Sequence, residues 1–477
     1  MMNAIPCQVE FLEKVWNNGA APRQSASRQA RFFALYLALC EMQEWICVEM
    51  KLAIERPLQR TKHLYQKAFF ALNIHHKTAR MIAMRSLNLF ISHSSEILTD
   101  NRPHGDGLVA YEFISRLAER EHCLHVATAQ VDLKNPLHPN ITLHPIATRL
   151  KSPLLQRVEY LLRCRFLLKR LMRTEHFDVI HQLNPVSIGL SLGVADLGLP
   201  IVLGSYAARW ANDPHAITSR FRLLRAGLRK LRGVVCHIQQ KQAAAILITT
   251  PSARNQLTHY EALQDRVHLL PYGTNTQRYS PAENWLDPAH LAEEQQHPTI
   301  LYLASLARRK GIFETLEAFK TVGREMPNCK LLVVGNGDQA EQVKQIALNS
   351  PVAGQIEFRP AQPRSIAVEL YRQSALLCSP SLGEPFGMAV LEAMACGRPV
   401  VVTDEGGYKH TVRPEGGVHV PVGDSEALAA ALLRLLRDPE ERLRMALFNR
   451  QWAEEQFSWE VVVPRLEEVY RKVLPAA

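Results

Sequence analysis

The chain has 477 residues, of which 47% are hydrophobic and 21% charged, and its formal net charge is +10. This composition is typical of a globular protein, and the length predicts about two to four domains. No apolar run approaches the roughly 18 residues of a membrane-spanning helix, and the run at 32–40 lacks the cleavage site of a secretory signal. The nine cysteines are scattered without a C-x-x-C pair. We therefore expect reduced thiols in a cytoplasmic protein rather than a disulfide framework or a zinc site.

The positive charge is concentrated in two segments, and such an excess favours anionic partners. Residues 161–173 and 219–233 carry five and six basic residues without one acid, and leucines recur between them at helical spacing. Both segments predict basic amphipathic helices. Two interpretations stay open for them: a solvated helix face, or a surface that binds an anionic membrane and makes the protein peripheral to it. We expect no nucleic-acid partner.

The first segment of the chain is helix-prone. Residues 1–83 show no clear strand pattern, so they predict a helical extension outside the core fold, or a start site assigned too far upstream. From residue 84 on, short β-branched runs alternate with helical segments, which indicates a parallel, doubly wound sheet in a first domain at 84–280. The predicted strands of this domain lie within 87–92, 123–129, 177–183, 199–205, 244–253 and 266–273.

The same pattern restarts after a polar linker at 275–298, which holds three prolines. It predicts a second Rossmann-like domain at 281–455, followed by a helix at 456–477 that crosses back to the first domain. In open α/β sheets, ligands bind at the carboxyl ends of the strands, and two facing lobes direct those ends into one cleft. The predicted strands of the second domain lie within 299–305, 329–337, 355–361, 374–381 and 397–407.

Two glutamates bracket the start of a predicted helix in the segment SLGEPFGMAVLEAMACGRPVV. Glu384 precedes the helix, which begins at about Phe386–Gly387, and Glu392 lies between one and two turns inside it. The amides of Phe386, Gly387 and Met388 lie between the two carboxylates, at the positive end of the helix dipole. This arrangement fits a nucleotide-diphosphate sugar, with Glu384 accepting from the sugar and Glu392 from the ribose. The alternative is that Glu384 only complements the dipole and Glu392 is an exposed helix residue.

The same segment resembles the paired-glutamate signature of retaining glycosyltransferases of family 4, which have the GT-B fold of two Rossmann-like domains facing a cleft. Seven residues separate the two glutamates. Weaker matches follow in the family's order, in RPHGDG, FDVIH, LPYGTN, RRKG, LLVVGNGD and FSWEVV. The resemblance covers most of residues 84–477 and none of the first 83.

The resemblance implies an enzyme that moves a sugar from a UDP- or GDP-sugar to an acceptor hydroxyl with retention of configuration. The acceptor would be a glycan or lipid-linked molecule in polysaccharide, glycolipid or cell-envelope synthesis, read by the first domain, while the second domain holds the donor. The sequence has no aspartate-x-aspartate motif, and we expect catalysis without metal or other cofactor. A nucleotide-sugar epimerase on the same fold and a non-catalytic nucleotide-sugar-binding or membrane-scaffold protein remain alternatives.

Site residues follow from the resemblance by matching position. Lys310 should contact the donor diphosphate and act with Glu384 as the catalytic pair. Ser305 stands where the family usually has an arginine, which leaves open whether Arg308 or Arg309 supplies that charge. His181 is as consistent with a structural role as with an acceptor contact. The further donor-side residues are Arg308, Arg309, Gly335, Gly337, Gly105 and Gly107, and the acceptor-side residues are Tyr206, His181 and His104.

Overall fold

The computed structural model of the protein describes residues 86–101, 105–150, 152–183, 189, 191–208 and 222–475. The chain divides into two units, Met1–Arg85 and Ser86–Ala477. The predicted extension at 1–83 and the acceptor-side candidate His104 both lie outside the described residues. No described helix is long and apolar enough to cross a membrane.

Seven parallel strands form the first sheet, in the order β3-β2-β1-β4-β5-β6-β7. Its central strands are apolar and buried on both faces, because helices cover both sides of the sheet. The direction of strand addition reverses between β1 and β4, which creates a crevice at the carboxyl ends of these two strands. The strands are β1 Asn88–Thr99, β2 Cys123–Asp132, β3 Ile141–Pro145, β4 Val179–Gln182, β5 Ile201–Tyr206, β6 Ala245–Ile248 and β7 Val267–Leu269, and the α-helices are α1 Gly105–Glu119, α2 Pro153–Leu171 and α3 Arg222–Gln242.

Six parallel strands form the second sheet, in the order β10-β9-β8-β11-β12-β13, with its reversal between β8 and β11. The strands are β8 Thr299–Leu303, β9 Lys330–Val334, β10 Ile356–Arg359, β11 Leu376–Ser379, β12 Val400–Thr403 and β13 Gly417–Val420. The helices are α4 Pro288–Gln296, α5 Ile312–Glu325, α6 Ala340–Leu348, α7 Arg364–Arg372, α8 Met388–Ala395, α9 Tyr408–Thr411, α10 Ser425–Arg437, α11 Pro439–Trp452 and α12 Trp459–Val473.

The predicted alternation of strands and helices is confirmed, but some elements differ from the prediction. Strands β3 and β13 were missed because they are short and their side chains are partly exposed, so neither has a continuous apolar run. Helix α4 occupies part of the segment predicted as linker. Its proline stands at the first helical position, where a missing amide hydrogen costs nothing.

The chain passes between the two lobes, each built on one sheet, at two neighbouring points. Thr274 and Ser458 form an isolated parallel bridge, and the Thr274 amide donates to the Phe457 carbonyl over 2.7 Å. Helix α12 then packs on the first lobe, where the ring of Trp459 meets Phe113 edge to face at 4.8 Å between centroids. The contacts of the closing helix therefore join both lobes.

Most of the predicted basic helix at 161–173 lies in helix α2, which begins earlier and ends at Leu171. Its inner side is buried at Tyr160, Cys164 and Leu168. Arg163 pairs with Glu159 at 2.8 Å, and Arg165 pairs with Asp196. The second basic segment falls in α3, but residues 219–221 lie outside the described residues.

Candidate functional site

The loops that follow β8 and β11 bring Lys310 and Glu384 together. These strands are neighbours at the reversal point of the second sheet, so the two loops leave the same edge side by side. The Lys310 ammonium nitrogen lies 2.7 Å from Glu384 Oε2, and the two side chains are 19% and 12% exposed. Residues 74 positions apart in the chain thus form one charged pair at the edge where ligands of such sheets bind.

The approach of the two loops depends on a glycine. Residues Arg308–Lys310 form a single 3₁₀ turn, and Gly311 follows with φ at 74° in the left-handed region. A Cβ at Gly311 would stand 2.1 Å from the carbonyl oxygen of Pro380. Only glycine satisfies both conditions, so Gly311 is what lets the lysine loop reach the glutamate loop.

Helix α8 begins at Met388, one to two residues later than predicted. Gly387 has φ at 97°, and a Cβ there would lie 2.4 Å from the ring of Tyr408. Glu384 accepts a hydrogen bond from the Gly407 amide through its carbonyl over 2.7 Å, which fixes the segment before the helix. First-turn amides have no acceptor within their own helix, and an anion-binding role for the amides of Phe386, Gly387 and Met388 stays a prediction.

Glu392 is not an exposed helix residue, so this part of the alternative interpretation is wrong. Its side chain is 14% exposed. One oxygen accepts from the Tyr371 hydroxyl over 3.0 Å, and the other lies 3.9 Å from the Arg364 guanidinium. Burial raises the pKa of Glu392, while the Arg364 charge and the Tyr371 hydrogen bond oppose that rise. The Glu392 carboxylate is therefore surrounded by polar groups of helix α7.

Ser305 and Arg308 are both exposed. The Arg308 guanidinium lies over the ring of Phe313, 5.6 Å from its centroid. The Arg309 carbonyl accepts from the Leu382 amide over 2.8 Å and so holds the lysine loop to the glutamate loop. A donor-binding role for either arginine stays a prediction.

Three of the four predicted glycines are explained by close backbone packing. A Cβ at Gly335 would stand 1.9 Å from the Ala304 carbonyl, and one at Gly337 would stand 2.3 Å from the Leu306 carbonyl. At Gly107, a Cβ would lie 1.9 Å from the carbonyl of Ile97, whereas Gly105 has open space around it. Gly335, Gly337 and Gly107 are therefore required by close backbone packing, and contact of any of the four glycines with a donor stays a prediction.

His181 has a structural role in this fold. It is 1% exposed, its Nδ1 lies 2.6 Å from the Tyr470 hydroxyl, and its Nε2 lies 3.1 Å from the Gly204 carbonyl. Burial lowers the pKa of His181 to about 4, so the ring is neutral at neutral pH. Both nitrogens are used within the protein, which leaves none for an acceptor. Tyr206 packs against the apolar core of the first lobe, and burial raises the pKa of its hydroxyl.

Replacing Tyr470 with phenylalanine is expected to lower the free energy of unfolding by about 1–3 kcal/mol, because it leaves a buried histidine nitrogen unsatisfied. The rate of any reaction that the protein catalyses should stay unchanged, since both side chains are buried. Urea unfolding and a rate assay on the same preparation check this. A reduced reaction rate with an unchanged free energy of unfolding would instead support an acceptor contact by His181.

Several residues of the site had not been singled out from the sequence. Arg364 and Tyr371 lie seven positions apart on helix α7, the spacing that places two side chains on one helix face. Tyr279 lies in the predicted linker, and Glu112 on helix α1 of the other lobe. From the sequence, only the helical spacing of Arg364 and Tyr371 could have indicated that two of these residues lie together. No sequence pattern relates Glu112 on α1 to Arg364 on α7.

A cavity of about 410 Å³ opens between the lobes beside this cluster. Residues from the first lobe and from the segment after β10 line it together. Asp100 belongs to the loop framework, because it accepts hydrogen bonds from Lys134, Asn135 and Asn101. These bonds, working against burial, lower the pKa of Asp100 to about 2. The cavity lining comprises Asp100, Asn101, Lys134, Arg278 and the stretch 361–365.

In the part of the chain that the structure describes, no three histidine, cysteine, aspartate or glutamate side chains are grouped as a metal site would need.

The fold and the site together define a two-lobed α/β protein whose ligand crevice holds a lysine–glutamate pair beside a helix start. Residues 104–278 match the family described as Glycosyltransferase Family 4, and residues 283–452 match Glycosyl transferases group 1. The chain belongs to the family-4 glycosyltransferases and has their GT-B fold.

Relatives and solved structures resemble most of the chain. The N-acetyl-alpha-D-glucosaminyl L-malate synthase of Bacillus anthracis is 26% identical over 78% of this chain and 94% of its own length. The phosphatidyl-myo-inositol mannosyltransferase of Mycobacterium leprae is 30% identical over 62% of this chain and 74% of its own length. The structure of sucrose-phosphate synthase from Thermosynechococcus elongatus superposes with a TM-score of 0.65 at 21% identity, covering 82% of this chain and 99% of that one.

Proposed function

We propose that this protein is a retaining hexosyltransferase that moves a sugar from a nucleotide-diphosphate sugar to an acceptor hydroxyl. The observation that carries the proposal is the Lys310–Glu384 pair, 2.7 Å between charged atoms, at the strand ends beside the start of helix α8. A cation and a helix N-terminus suit the diphosphate, while a carboxylate suits sugar hydroxyls.

The proposed reaction breaks the bond between the anomeric carbon and the diphosphate oxygen. A bond from the acceptor oxygen forms on the same face, and the acceptor proton passes to the departing phosphate oxygen. Lys310 and the first-turn amides of α8 stabilise the charge that develops on the nucleoside diphosphate. Glu384 orients the sugar, and approach of the lobes excludes the water that would otherwise hydrolyse the donor. No metal takes part in these steps.

We further propose that the acceptor is an anionic or lipid-linked molecule of glycolipid or cell-envelope synthesis. The relatives named above support this class, because L-malate and phosphatidyl-myo-inositol both carry negative charge. The formal net charge of +10 has the complementary sign.

The exposed side of helix α2 supports a membrane-surface location for this chemistry. Leu155, Val158, Leu162 and Phe166 follow one another at helical spacing and are 49%, 49%, 47% and 72% exposed. They form one stripe opposite the buried side of the helix, and basic residues flank it. A basic helix with an apolar stripe can lie on an anionic bilayer with its apolar side chains in the headgroup region. Peripheral association would bring a lipid-linked acceptor to the cleft.

Replacing Phe166 with serine is expected to weaken binding to vesicles of mixed neutral and anionic lipid by about tenfold, because one buried aromatic side chain is worth roughly 1.5–3 kcal/mol. Stability should hold, since the side chain is 72% exposed. Vesicle flotation measures the effect. The matched control is Leu348→Ser, an equally exposed leucine (68%) in the second lobe. Equal binding by both variants and the wild type would exclude the stripe as the membrane contact.

The enzyme proposal is tested by incubating the protein with UDP-, GDP- and ADP-sugars, with and without a membrane extract, and following nucleoside-diphosphate release. The proposal expects release that depends on the extract. Epimerised or free sugar without the extract would instead indicate an epimerase, and nucleotide binding without turnover would indicate a binding or scaffold protein.

A further inference from the structure

A row of side chains with alternating charge links the first lobe to the second. Arg116 lies 3.2 Å from Glu112 on helix α1, and Glu112 lies 3.1 Å from Arg364 on helix α7. Arg364 in turn lies 3.9 Å from Glu392 on helix α8. All four side chains are between 11% and 19% exposed, so solvent screens these pairs far less than it screens surface pairs.

The position of Arg364 is set by groups other than Glu392. Its Nη1 donates to Glu112 Oε1 over 3.1 Å and its Nε donates to the Tyr279 hydroxyl over 3.3 Å. At 3.9 Å, the nearest approach to Glu392 is beyond hydrogen-bond distance. The guanidinium therefore supplies charge to Glu392 while being held by a carboxylate of the opposite lobe.

Glu392 keeps acceptor capacity for a ligand under this arrangement. A carboxylate offers about four lone-pair positions, and hydrogen bonds from the Tyr371 and Tyr279 hydroxyls take two of them. Hydroxyl groups of a ligand bind best to the ionised form, which burial disfavours and the nearby Arg364 charge favours. Withdrawal of Glu112 would release Arg364 and weaken this support.

We propose that Arg364 is a positioning residue that couples donor binding at Glu392 to the approach of the two lobes, through its ion pair with Glu112. The inference rests on the proposed function, because it takes Glu392 as the residue that binds the donor ribose. Coupling of this kind is reciprocal: lobe approach strengthens donor binding, and donor binding favours lobe approach. Glu112, which lies in the proposed acceptor-binding lobe, thus strengthens donor binding without contacting the donor.

Calorimetric titration of the full chain with UDP, GDP and ADP tests the proposal. Glu112→Gln is expected to weaken binding of the nucleotide that the wild type prefers by about fivefold or more. The matched control is Glu119→Gln on the same helix, which removes the same charge from a side chain that is 58% exposed. Its carboxylate lies 3.7 Å from Arg116, at the end of the row away from Glu392, so the affinity should stay unchanged. In an Arg364→Gln background, Glu112→Gln should have no further effect.

A second measurement separates this coupling from loss of structure. X-ray scattering should show that the preferred nucleotide reduces the radius of gyration of the wild type, and that this reduction is smaller in Glu112→Gln. If that variant fails to fold, Glu112→Asp, which keeps the charge but shortens its reach, takes its place with the same expected direction. Unchanged nucleotide affinity in a folded Glu112 variant overturns the inference. A wild type that binds none of the three nucleotides overturns the proposed function instead.

Discussion

Replacing Lys310 with alanine should reduce sugar transfer by about 100- to 1000-fold, the usual loss when one preorganised group that stabilises developing charge is removed. The lysine is 2.7 Å from Glu384, so both charges stand where we place the bond that breaks. Glu384→Ala should cause a comparable loss, because the sugar is no longer oriented for attack. Acceptor-dependent nucleoside-diphosphate release at saturating donor measures both effects.

The control for Lys310 is Lys320→Ala, on the helix that follows it. Lys320 also pairs with a glutamate, Glu317, at 2.6 Å, but on an exposed surface, where such pairs contribute about 0–1 kcal/mol. Its rate should match that of the wild type. Circular dichroism on each variant establishes that the fold is intact. Wild-type turnover in a folded Lys310→Ala or Glu384→Ala protein would refute the catalytic assignment.

Replacing Glu392 with glutamine is expected to weaken donor binding by about 10- to 100-fold, the cost of hydrogen bonds to a charged group at roughly 1.5–3 kcal/mol. The effect should appear in the KM for the donor more than in kcat, because Glu392 is placed at the ribose and not at the reacting carbon. Steady-state kinetics over a range of donor concentrations separates the two constants. A lowered kcat at unchanged KM would place Glu392 at the chemical step instead.

The same substitution should stabilise the protein without ligand at pH 7. Burial raises the pKa of Glu392 in the fold, so the unfolded chain gives up this proton more readily. Stability therefore falls as pH rises from the ordinary carboxyl pKa through the raised pKa of the folded protein. Glutamine cannot ionise and avoids the loss. Thermal unfolding at pH 5 and pH 7 checks the sign.

Glu467 is the matched control, because its pKa is shifted in the opposite direction and its replacement should change stability in the opposite direction. It is 2% exposed and accepts from His122 at 3.1 Å and from Arg120 at 2.8 Å. Burial acts to raise its pKa, but these hydrogen bonds prevail and lower it. Its ionised form stabilises the fold, so Glu467→Gln should destabilise the protein at pH 7. Donor KM should be unaffected, because Glu467 joins α12 to the first lobe away from the cleft.

The separate contributions of sequence and fold are clearest at the two ends of the proposed donor site. The relative placement of Glu384 and Glu392 could be predicted from their own segment, because a proline, a glycine and the helix period suffice to space the two carboxylates. The pairing of Lys310 with Glu384 is not local. It follows from the adjacency of β8 and β11, which a parallel sheet with a reversal point brings about.

The role of His181 could not be predicted from the residues around it in the sequence. His181 lies next to the end of a short buried strand, a position that suits either a cleft residue or a core residue. Its role was decided by helix α12, which brings Tyr470 to its ring from 289 positions away. No property of the FDVIH segment itself could reveal that hydrogen bond, because the partner arrives only when the closing helix docks.

By itself, the sequence determined the two-lobed α/β fold, the order of most of its strands and helices, and the spacing of the two glutamates, because alternation, turn residues and helical period act over a few residues. The tertiary structure alone decided which distant groups meet: Lys310 with Glu384, His181 with Tyr470, and Arg364 with Glu112. These pairs depend on which strands become neighbours and on how the lobes pack, and both are set by burial of the whole apolar core rather than by any short segment.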